Sequence, residues 1–381
     1  MISGMRSPLL AILPNSAVLI AAVSGRALAA AARRAGLRPL VADLFNDSDT
    51  LALAERAIKL SGSLQDGIGE VALLEALKEL AGDEMPVALI YGSGFEANPG
   101  VIDAISRRFA VAGNSAQTIR AVKDPVNLQR LCRQIGIPHP AIAFEAPNDL
   151  KNWLVKRSGA AGGSHVRQAR DSSVGRQHYY QRFISGRNLS ALFLADRKRA
   201  NMIGFSRQWV SPTSQTPFRY GGAVRLGRYD RKKAALIETW LNALVEITGL
   251  VGLCSADFID DRDLHLIEIN PRPGATLDIF DCEETPLLLE HMRATIGSDI
   301  QIPSYAGSSA SGIAYADKAL GSFPDVNWPV FTADHQISGT ALQAGDPICT
   351  VFATAPSASA AMKAVKDRIK QIAVNWREEY R

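Results

Sequence analysis

The stretch Ser255–Asp278, SADFIDDRDLHLIEINPRPGATLD, decides the fold of this chain. Its apolar residues predict two β-strands, Cys254–Ile259 and Leu264–Ile269, which a tight acidic turn joins. An ordinary surface hairpin would explain the solvated turn. It would not explain the charged and amide side chains that lie among the apolar residues of the second strand.

Three polar side chains of this hairpin form a candidate metal site. Because successive strand residues point to opposite faces, Glu268 and Asn270 share a face, and the hairpin can bring Asp257 beside them. Two carboxylates and one amide oxygen suit Mg²⁺ or Mn²⁺, which prefer oxygen ligands and leave positions for substrate phosphates. Arg272 follows between two prolines, where its guanidinium can meet a phosphate.

Two further segments indicate nucleotide binding. Asn152–Val166, NWLVKRSGAAGGSHV, predicts a short strand that ends on Lys156 and runs into a glycine-rich loop. Such a loop lets backbone N–H groups close over phosphates, and the lysine supplies a point charge. Tyr179–Leu194, YYQRFISGRNLSALFL, predicts two strands with a break at Ser185-Gly186, whose backbone could bind an adenine edge. A plain hairpin would explain this second segment equally well, and the loop has neither P-loop nor Rossmann spacing.

The order of these motifs resembles the ATP-grasp superfamily of carboxylate–amine and carboxylate–thiol ligases, roughly over residues 116–278. The resemblance implies an ATP-grasp fold of the α/β (α+β) class, with ATP and Mg²⁺ or Mn²⁺ as cofactors. It implies phosphate contacts from Lys156, Gly162, Gly163 and Ser164, adenine contacts from Gln181, Phe183 and Ile184, and metal ligation by Asp257, Glu268 and Asn270. Arg272 would face the γ-phosphate or an acyl phosphate.

The adenine and ribose end departs from the family pattern. The family often has a basic residue where this chain has Pro125, so Lys123 or Arg130 would have to replace that contact. The hinge often carries acidic residues where Arg182 and Asn188 stand. These departures leave the metal end intact, and they favour a second class of protein, a nucleotide-binding regulator without turnover.

Composition bounds the remaining classes. A length of 381 residues allows two or three domains, and 47% hydrophobic with 21% charged residues is typical of a folded globular protein. A net charge of +4 with short, scattered basic runs does not indicate a nucleic-acid groove. The cysteines form no C-x-x-C pair and the histidines are scattered, so we expect reduced cytoplasmic thiols and no zinc site.

The N-terminus could be mistaken for a leader. Arg6, the apolar residues 9–12 and Ala17–Val23 have the order of a signal peptide, but Pro14-Asn15-Ser16 interrupts the apolar run. We therefore predict that Ala17–Val23 is a buried strand. No run reaches transmembrane length without charge, so no membrane partner is expected.

The N-terminal third predicts a Rossmann-like domain with a parallel sheet, because strands and helices alternate. Dinucleotide binding is the alternative for this part, although the glycine fingerprint is incomplete. The resemblance implies that this domain helps to bind the acceptor substrate. The candidates for that role are Ser24, Gly25, Gly92, Ser93 and Glu96.

Four domains are expected: a Rossmann-like domain at 1–115, a small ATP-grasp subdomain at 116–205, a large subdomain with the metal site at 206–300, and a C-terminal β-rich lobe at 301–381. Arg219 and Arg225 flank Tyr220-Gly221-Gly222 in a loop-like segment. Isolated arginines are usually surface residues, but these two could clamp an anionic substrate or acyl phosphate. Together with Arg272 they are the catalytic candidates.

The resemblance implies an ADP-forming ligase that joins a small-molecule carboxylate to an amine through an acyl phosphate. The phrases VLIAAVSGRALAAAARRAGL, ADLFNDSDT and YGSGFEANP resemble a branch encoded with methanopterin-linked one-carbon genes of methylotrophic bacteria. That implies a role in tetrahydromethanopterin biosynthesis with a pterin acceptor, for which Phe95 is the available aromatic residue. A biotin-carboxylase-like or purine-type enzyme is the alternative. The oligomeric state is left open, with a homodimer as one option.

Overall fold

The computed structural model describes residues 12–63, 67–170, 175 and 177–378, and for 373–378 it describes the backbone alone. Residues 6 and 9–11 of the leader hypothesis lie outside this part of the chain. Among the helices within it, none combines the length and the apolar composition that a membrane crossing requires. All four cysteines are free thiols.

The N-terminal sheet is parallel, as the sequence predicts. The N-terminal strands are β1 (Ala17–Ala22), β2 (Arg38–Asp43), β3 (Arg56–Lys59), β4 (Gly62–Ser63), β5 (Gly67–Ile68), β6 (Ala88–Tyr91) and β7 (Val111–Ala112). The helices are α1 (Arg26–Arg34), α2 (Ser48–Leu53), α3 (Glu70–Ala81) and α4 (Gly100–Ser106). The strand order is β3-β2-β1-β6-β7, while β4 and β5 form a separate hairpin. The order reverses between β1 and β6, so the loops after these two strands border a crevice.

A second, smaller sheet carries the glycine-rich loop. Helices α5 (Ala116–Lys123) and α6 (Pro125–Ile135) precede β8 (Ile142–Ala143), β9 (Trp153–Arg157), β10 (Arg167–Gln168) and β11 (His178–Arg182). The strands are antiparallel in the order β10-β9-β11-β8. The predicted strand ending at Lys156 is therefore present as β9, and the glycine-rich segment connects it to β10.

The largest sheet has eight antiparallel strands in the order β16-β15-β12-β13-β14-β17-β19-β18. They are β12 (Arg187–Asp196), β13 (Ala200–Val210), β14 (Tyr220–Arg225), β15 (Val251–Asp260), β16 (Leu264–Asn270), β17 (Ser308–Tyr315), β18 (Thr332–Ala333) and β19 (Pro347–Ala355). The helices are α7 (Arg231–Thr248), α8 (Leu277–Phe280), α9 (Leu287–Ile296) and α10 (Ala358–Glu378).

Two expectations differ from this arrangement. The boundary drawn at residue 205 falls inside β13, because the chain passes from the small to the large sheet at residues 183–186. Tyr220–Arg225 is a strand and not a loop. The C-terminal strand β17 pairs with β14, so the β-rich lobe continues the large sheet.

Two buried polar side chains fix the N-terminal sheet against the β15–β16 hairpin. Asn114 is 1% exposed and bonds three backbone groups, the N–H and C=O of Val251 and the C=O of Pro271, each at 2.9 Å. His291 accepts from the Leu253 N–H at 2.8 Å through Nδ1, and its Nε2 lies 2.9 Å from the Ala112 oxygen. The entry to β15 and the exit from β16 are therefore tied to the end of β7.

Candidate active site

The β15–β16 hairpin brings together the three polar side chains that alternation places on one face. Asp257 lies directly opposite Glu268 in the strand register. The Asn270 side-chain amide donates to Asp257 Oδ2 at 3.1 Å, and Asn270 itself is opposite Ser255. The result is a compact cluster of carboxylate and amide groups at the end of the hairpin.

The two carboxylates of this cluster differ in electrostatic state. Burial and the neighbouring charge of Glu268 raise the pKa of Asp257. Burial would also raise the pKa of Glu268, but the ammonium groups of Lys123 and Lys156 outweigh it and lower that pKa. The pair therefore favours one negative charge over two, and a further cation would stabilise the fully ionised form.

The donor set of this cluster fits Mg²⁺. The groups are hard oxygen ligands, and the Lys123 ammonium already lies 2.8 Å from Asn270 Oδ1 and 3.4 Å from Glu268 Oε2, so the cluster attracts positive charge. No group of three His, Cys, Asp or Glu side chains in the described part of the chain could bind a metal ion. An ion here would depend on Asn270 and on the substrate's own phosphates.

The glycine-rich loop has the backbone conformation that its sequence predicts. Gly159, Gly162 and Gly163 have φ of 71°, 76° and 74°, a region that L side chains rarely adopt. The Gly162 oxygen accepts from the Tyr220 N–H at 3.0 Å, and Ser164 is exposed. The loop thus packs against the start of β14. Its Gly159 lines the same cavity as Lys156, whereas Gly162, Gly163 and Ser164 do not line it.

Lys156 and Gln181 line one cavity that is partly open to solvent. The Lys156 ammonium donates to Gln181 Oε1 at 3.2 Å, and burial lowers its pKa against the attraction of Glu268. The same cavity is lined by Lys123, His165 and Glu268. The phosphate candidate Lys156 and the metal candidate Glu268 therefore line the same cavity.

The predicted adenine contacts are only partly in this cavity. Gln181 lines it, but Phe183 and Ile184 are not among the lining residues. The Phe183 N–H donates to the Asn152 oxygen at 2.8 Å, and its ring centroid lies 6.4 Å from that of Phe218. The adenine role of Phe183 and Ile184 stays a prediction.

His165 was not among the residues that the sequence indicated. The sequence offered two replacements for the missing basic residue, Lys123 and Arg130, without choosing between them. His165 follows the glycine-rich loop and lines the cavity, with an Nδ1 that is buried and has no hydrogen-bond partner among the described residues. Burial lowers its pKa to about 4. Of the two replacements for the missing basic residue, Lys123 lines the cavity beside Pro125, whereas Arg130 is exposed.

Arg272 binds the N-terminal domain. Its Nε donates to Glu96 Oε1 at 2.6 Å, and Glu96 Oε2 accepts the N–H groups of Gly94 at 2.9 Å and Phe95 at 3.1 Å. Gly159 also lies against this loop, since a Cβ at that position would approach the Ala97 backbone to 2.6 Å. The loop after β6 therefore contacts both Arg272 and the glycine-rich segment.

Arg219 and Arg225 do not meet. They are six residues apart along an extended strand, which corresponds to about 20 Å. Arg219 donates to the Gly345 oxygen at 3.1 Å and stacks on Tyr315 at 3.6 Å. Arg225 donates to the Ile279 oxygen at 2.7 Å and lies 3.9 Å from the Tyr305 ring centre. The structure does not bring them together as one clamp.

The residues of the N-terminal crevice do not suit a dinucleotide or a pterin stacked on Phe95. Asp43 is fully buried, and its oxygens accept the N–H groups of Gly25 and Asn46 at 2.6 Å each, so this carboxylate is not exposed to a dinucleotide ribose. Phe95 is 1% exposed and packs edge-on against Tyr91. The expectation that Phe95 offers a surface for a pterin is therefore wrong. Ser24 and Gly92–Ser93 do border the crevice, where the Ser93 oxygen accepts the Val23 N–H.

Comparison with known proteins defines the class of this fold. Residues 122–276 match the family model of the ATP-grasp domain. The chain therefore contains an ATP-grasp domain, and its mixed α/β architecture is the ATP-grasp fold. A search of curated proteins finds no match.

Solved structures with this fold share little sequence with the chain. An ADP complex of N5-carboxyaminoimidazole ribonucleotide synthetase (purK) has a TM-score of 0.68 at 14% identity over 94% of this chain and 98% of that chain. The L-amino acid ligase from Bacillus licheniformis has a TM-score of 0.68 at 12% identity over the same shares, 94% and 98%. For Rhizobium etli pyruvate carboxylase the values are 0.67 and 15%, over 93% of this chain but 39% of that chain.

Proposed function

We propose that this protein is an ATP- and Mg²⁺-dependent, ADP-forming ligase that joins a carboxylate to an amine through an acyl phosphate. The observation that carries the proposal is the meeting of Lys156, Gln181 and Glu268 in one cavity beneath a glycine-rich loop. A phosphate-binding lysine and an oxygen cluster for a divalent cation are what phosphoryl transfer from ATP requires.

The roles of the residues follow from their positions. Lys156 and the N–H groups of the glycine-rich loop would bind the phosphates, and Asp257, Glu268 and Asn270 would hold Mg²⁺, which neutralises charge on the transferred group. Arg272, whose Nε donates to Glu96, would orient the acyl phosphate. Positioning and charge stabilisation carry such a reaction, so it does not require a protein nucleophile.

The acceptor would enter from the N-terminal domain. The loop after β6 contacts both Arg272 and the glycine-rich segment, which supports one continuous cleft. A pterin acceptor and a role in tetrahydromethanopterin biosynthesis are the narrower proposal. They rest on the resemblance of sequence phrases, and any stacking surface would have to come from a residue other than Phe95.

Two alternatives share the same fold. A biotin-carboxylase-like or purine-type enzyme would activate bicarbonate or formate, and the carboxylase and synthetase among the similar structures support it. A nucleotide-binding regulator would keep the site without turnover, and Pro125, Arg182 and Asn188 favour it at the adenine end. The retained oxygen cluster favours an enzyme.

The proposal is tested by measuring the release of ADP and phosphate in the presence of a panel of carboxylates and amines. A ligase should release both only when one acid and one amine are present together. Bicarbonate- or formate-dependent release without an amine would favour the alternative enzymes. Tight MgATP binding with no release under any pair would favour the regulator.

A further inference from the structure

The Lys123 side chain occupies part of the candidate metal site. Its ammonium lies 2.8 Å from Asn270 Oδ1 and 3.4 Å from Glu268 Oε2, although 145 residues separate Lys123 from Glu268. The side chain is only 6% exposed, against 30% for that of Glu268. This is a specific buried contact and not a surface ion pair.

The surroundings explain why a cation rests there. Asp257 and Glu268 face each other across the hairpin, and Asn270 Nδ2 donates to Asp257, which turns Asn270 Oδ1 toward the lysine. Two carboxylates at close range repel one another unless positive charge lies between or beside them. Lys123 supplies that charge from the end of α5, outside the hairpin.

The lysine and a divalent ion need the same oxygens. Mg²⁺ binds its ligands at about 2.1 Å, so an ion on Asn270 Oδ1 and Glu268 would leave no room for an ammonium at hydrogen-bond distance from both. The backbone end of the lysine is fixed, because the preceding Val122 is fully buried in the core. Its flexible stem, however, can swing within the cavity that Lys156 also lines.

We propose that Lys123 is a resident counter-cation of the metal site, which blocks the binding of free metal ions until nucleotide phosphates draw the ammonium away. This inference rests on the proposed function and adds to it the order in which metal and nucleotide bind. Metal and nucleotide enter together, and Lys123 moves from carboxylate to phosphate in the same step. The lysine also compensates for the basic residue that Pro125 replaces.

Mn²⁺ binding measured by electron paramagnetic resonance tests this without turnover. In the wild-type protein, Mn²⁺ should bind weakly alone and at least about ten-fold more tightly with a non-hydrolysable ATP analogue. Lys123→Gln should bind Mn²⁺ alone at least about ten-fold more tightly than wild type, because one nearby positive charge is removed. Lys123→Arg should resemble wild type, and Lys78→Gln, an exposed lysine on α3, is the matched control.

The outcomes separate this inference from the proposed function. If the wild-type protein binds no Mn²⁺ even with the analogue, the metal assignment and the proposed function fail together. If the analogue promotes binding but Lys123→Gln gains no affinity for free Mn²⁺, only the role of Lys123 is overturned. Equal gains in the Gln and Arg variants would overturn it as well, since the charge would not be responsible. Thermal unfolding confirms that each variant is folded, and Lys123→Met replaces the Gln variant if that one is not.

Discussion

The ion pair between Arg272 and Glu96 is expected to be a major link between the N-terminal and ATP-grasp parts of the molecule. Its side chains are 8% and 3% exposed, and Nε lies 2.6 Å from Oε1. Removing one partner of such a pair leaves a buried charge without compensation, which costs about 3–5 kcal/mol. Glu96→Gln keeps an acceptor for the Gly94 and Phe95 N–H groups, so we expect about 3 kcal/mol; Glu96→Ala loses those acceptors too, so we expect about 5 kcal/mol.

The assay is urea unfolding followed by both circular dichroism and tryptophan fluorescence, with the free energy of unfolding compared between variants. Glu84→Gln is the matched control, because Glu84 pairs with Arg38 at the surface with 42% of its side chain exposed, and its loss should cost less than about 1 kcal/mol. In the double variant Glu96→Ala with Arg272→Met, the combined cost should fall below the sum of the single costs by at least about 1 kcal/mol. Additive costs, or a Glu96→Gln effect no larger than that of Glu84→Gln, would refute the reasoning.

Three further predictions concern the buried ring of His291, the guanidinium of Arg272 and the products of turnover. Burial lowers the pKa of His291 from 6.5 to about 4, so the folded state favours the neutral ring. Because of this residue, the free energy of unfolding should fall by about 3 kcal/mol between pH 6.5 and pH 4. His291→Gln should remove that part of the pH dependence. Arg272→Lys should lower kcat at least about ten-fold, because a point charge cannot replace the guanidinium fork; a near-normal kcat would mean that Arg272 only supports the fold. Chromatography of the products of any active substrate pair should show ADP and phosphate, and AMP with pyrophosphate would contradict an acyl-phosphate mechanism.

The β15–β16 hairpin could be predicted from sequence because its information is local. Strand alternation fixes which side chains share a face, and the short acidic turn fixes the partner strand. Together they place Asp257 beside Glu268 and Asn270. The parallel N-terminal sheet follows from the same kind of local pattern, with buried apolar strands such as β6 between helices α3 and α4.

The glycines of β14 hide this strand in the sequence. Gly221 and Gly222 suggested a loop, but they allow the Trp209 ring of the neighbouring strand to approach; a Cβ at Gly221 would lie 2.8 Å from that ring. Glycine within a strand often marks such a close approach, and no local signal distinguishes it from a turn. With β14 extended, Arg219 and Arg225 necessarily lie at opposite ends.

The contacts of Lys123 and Phe95 could not be read from the sequence because they depend on tertiary packing. Lys123 reaches Glu268 across 145 residues, and only the packing of α5 on the large sheet decides where its ammonium lies. Phe95 stands in an exposed-looking Gly-rich loop, yet the loop folds inward and buries the ring against Tyr91.

Calorimetric titration of MgATP is the most direct test of the claim that Asp257, Glu268 and Asn270 hold the metal of an ATP site. Wild-type protein should bind MgATP more tightly than ATP with a chelator. Glu268→Gln should weaken MgATP binding at least about ten-fold, because one charged ligand is lost, while Glu238→Gln on the exposed face of α7 should not change it. Equal MgATP affinity in wild type and Glu268→Gln, or binding that does not depend on Mg²⁺, would contradict the assignment.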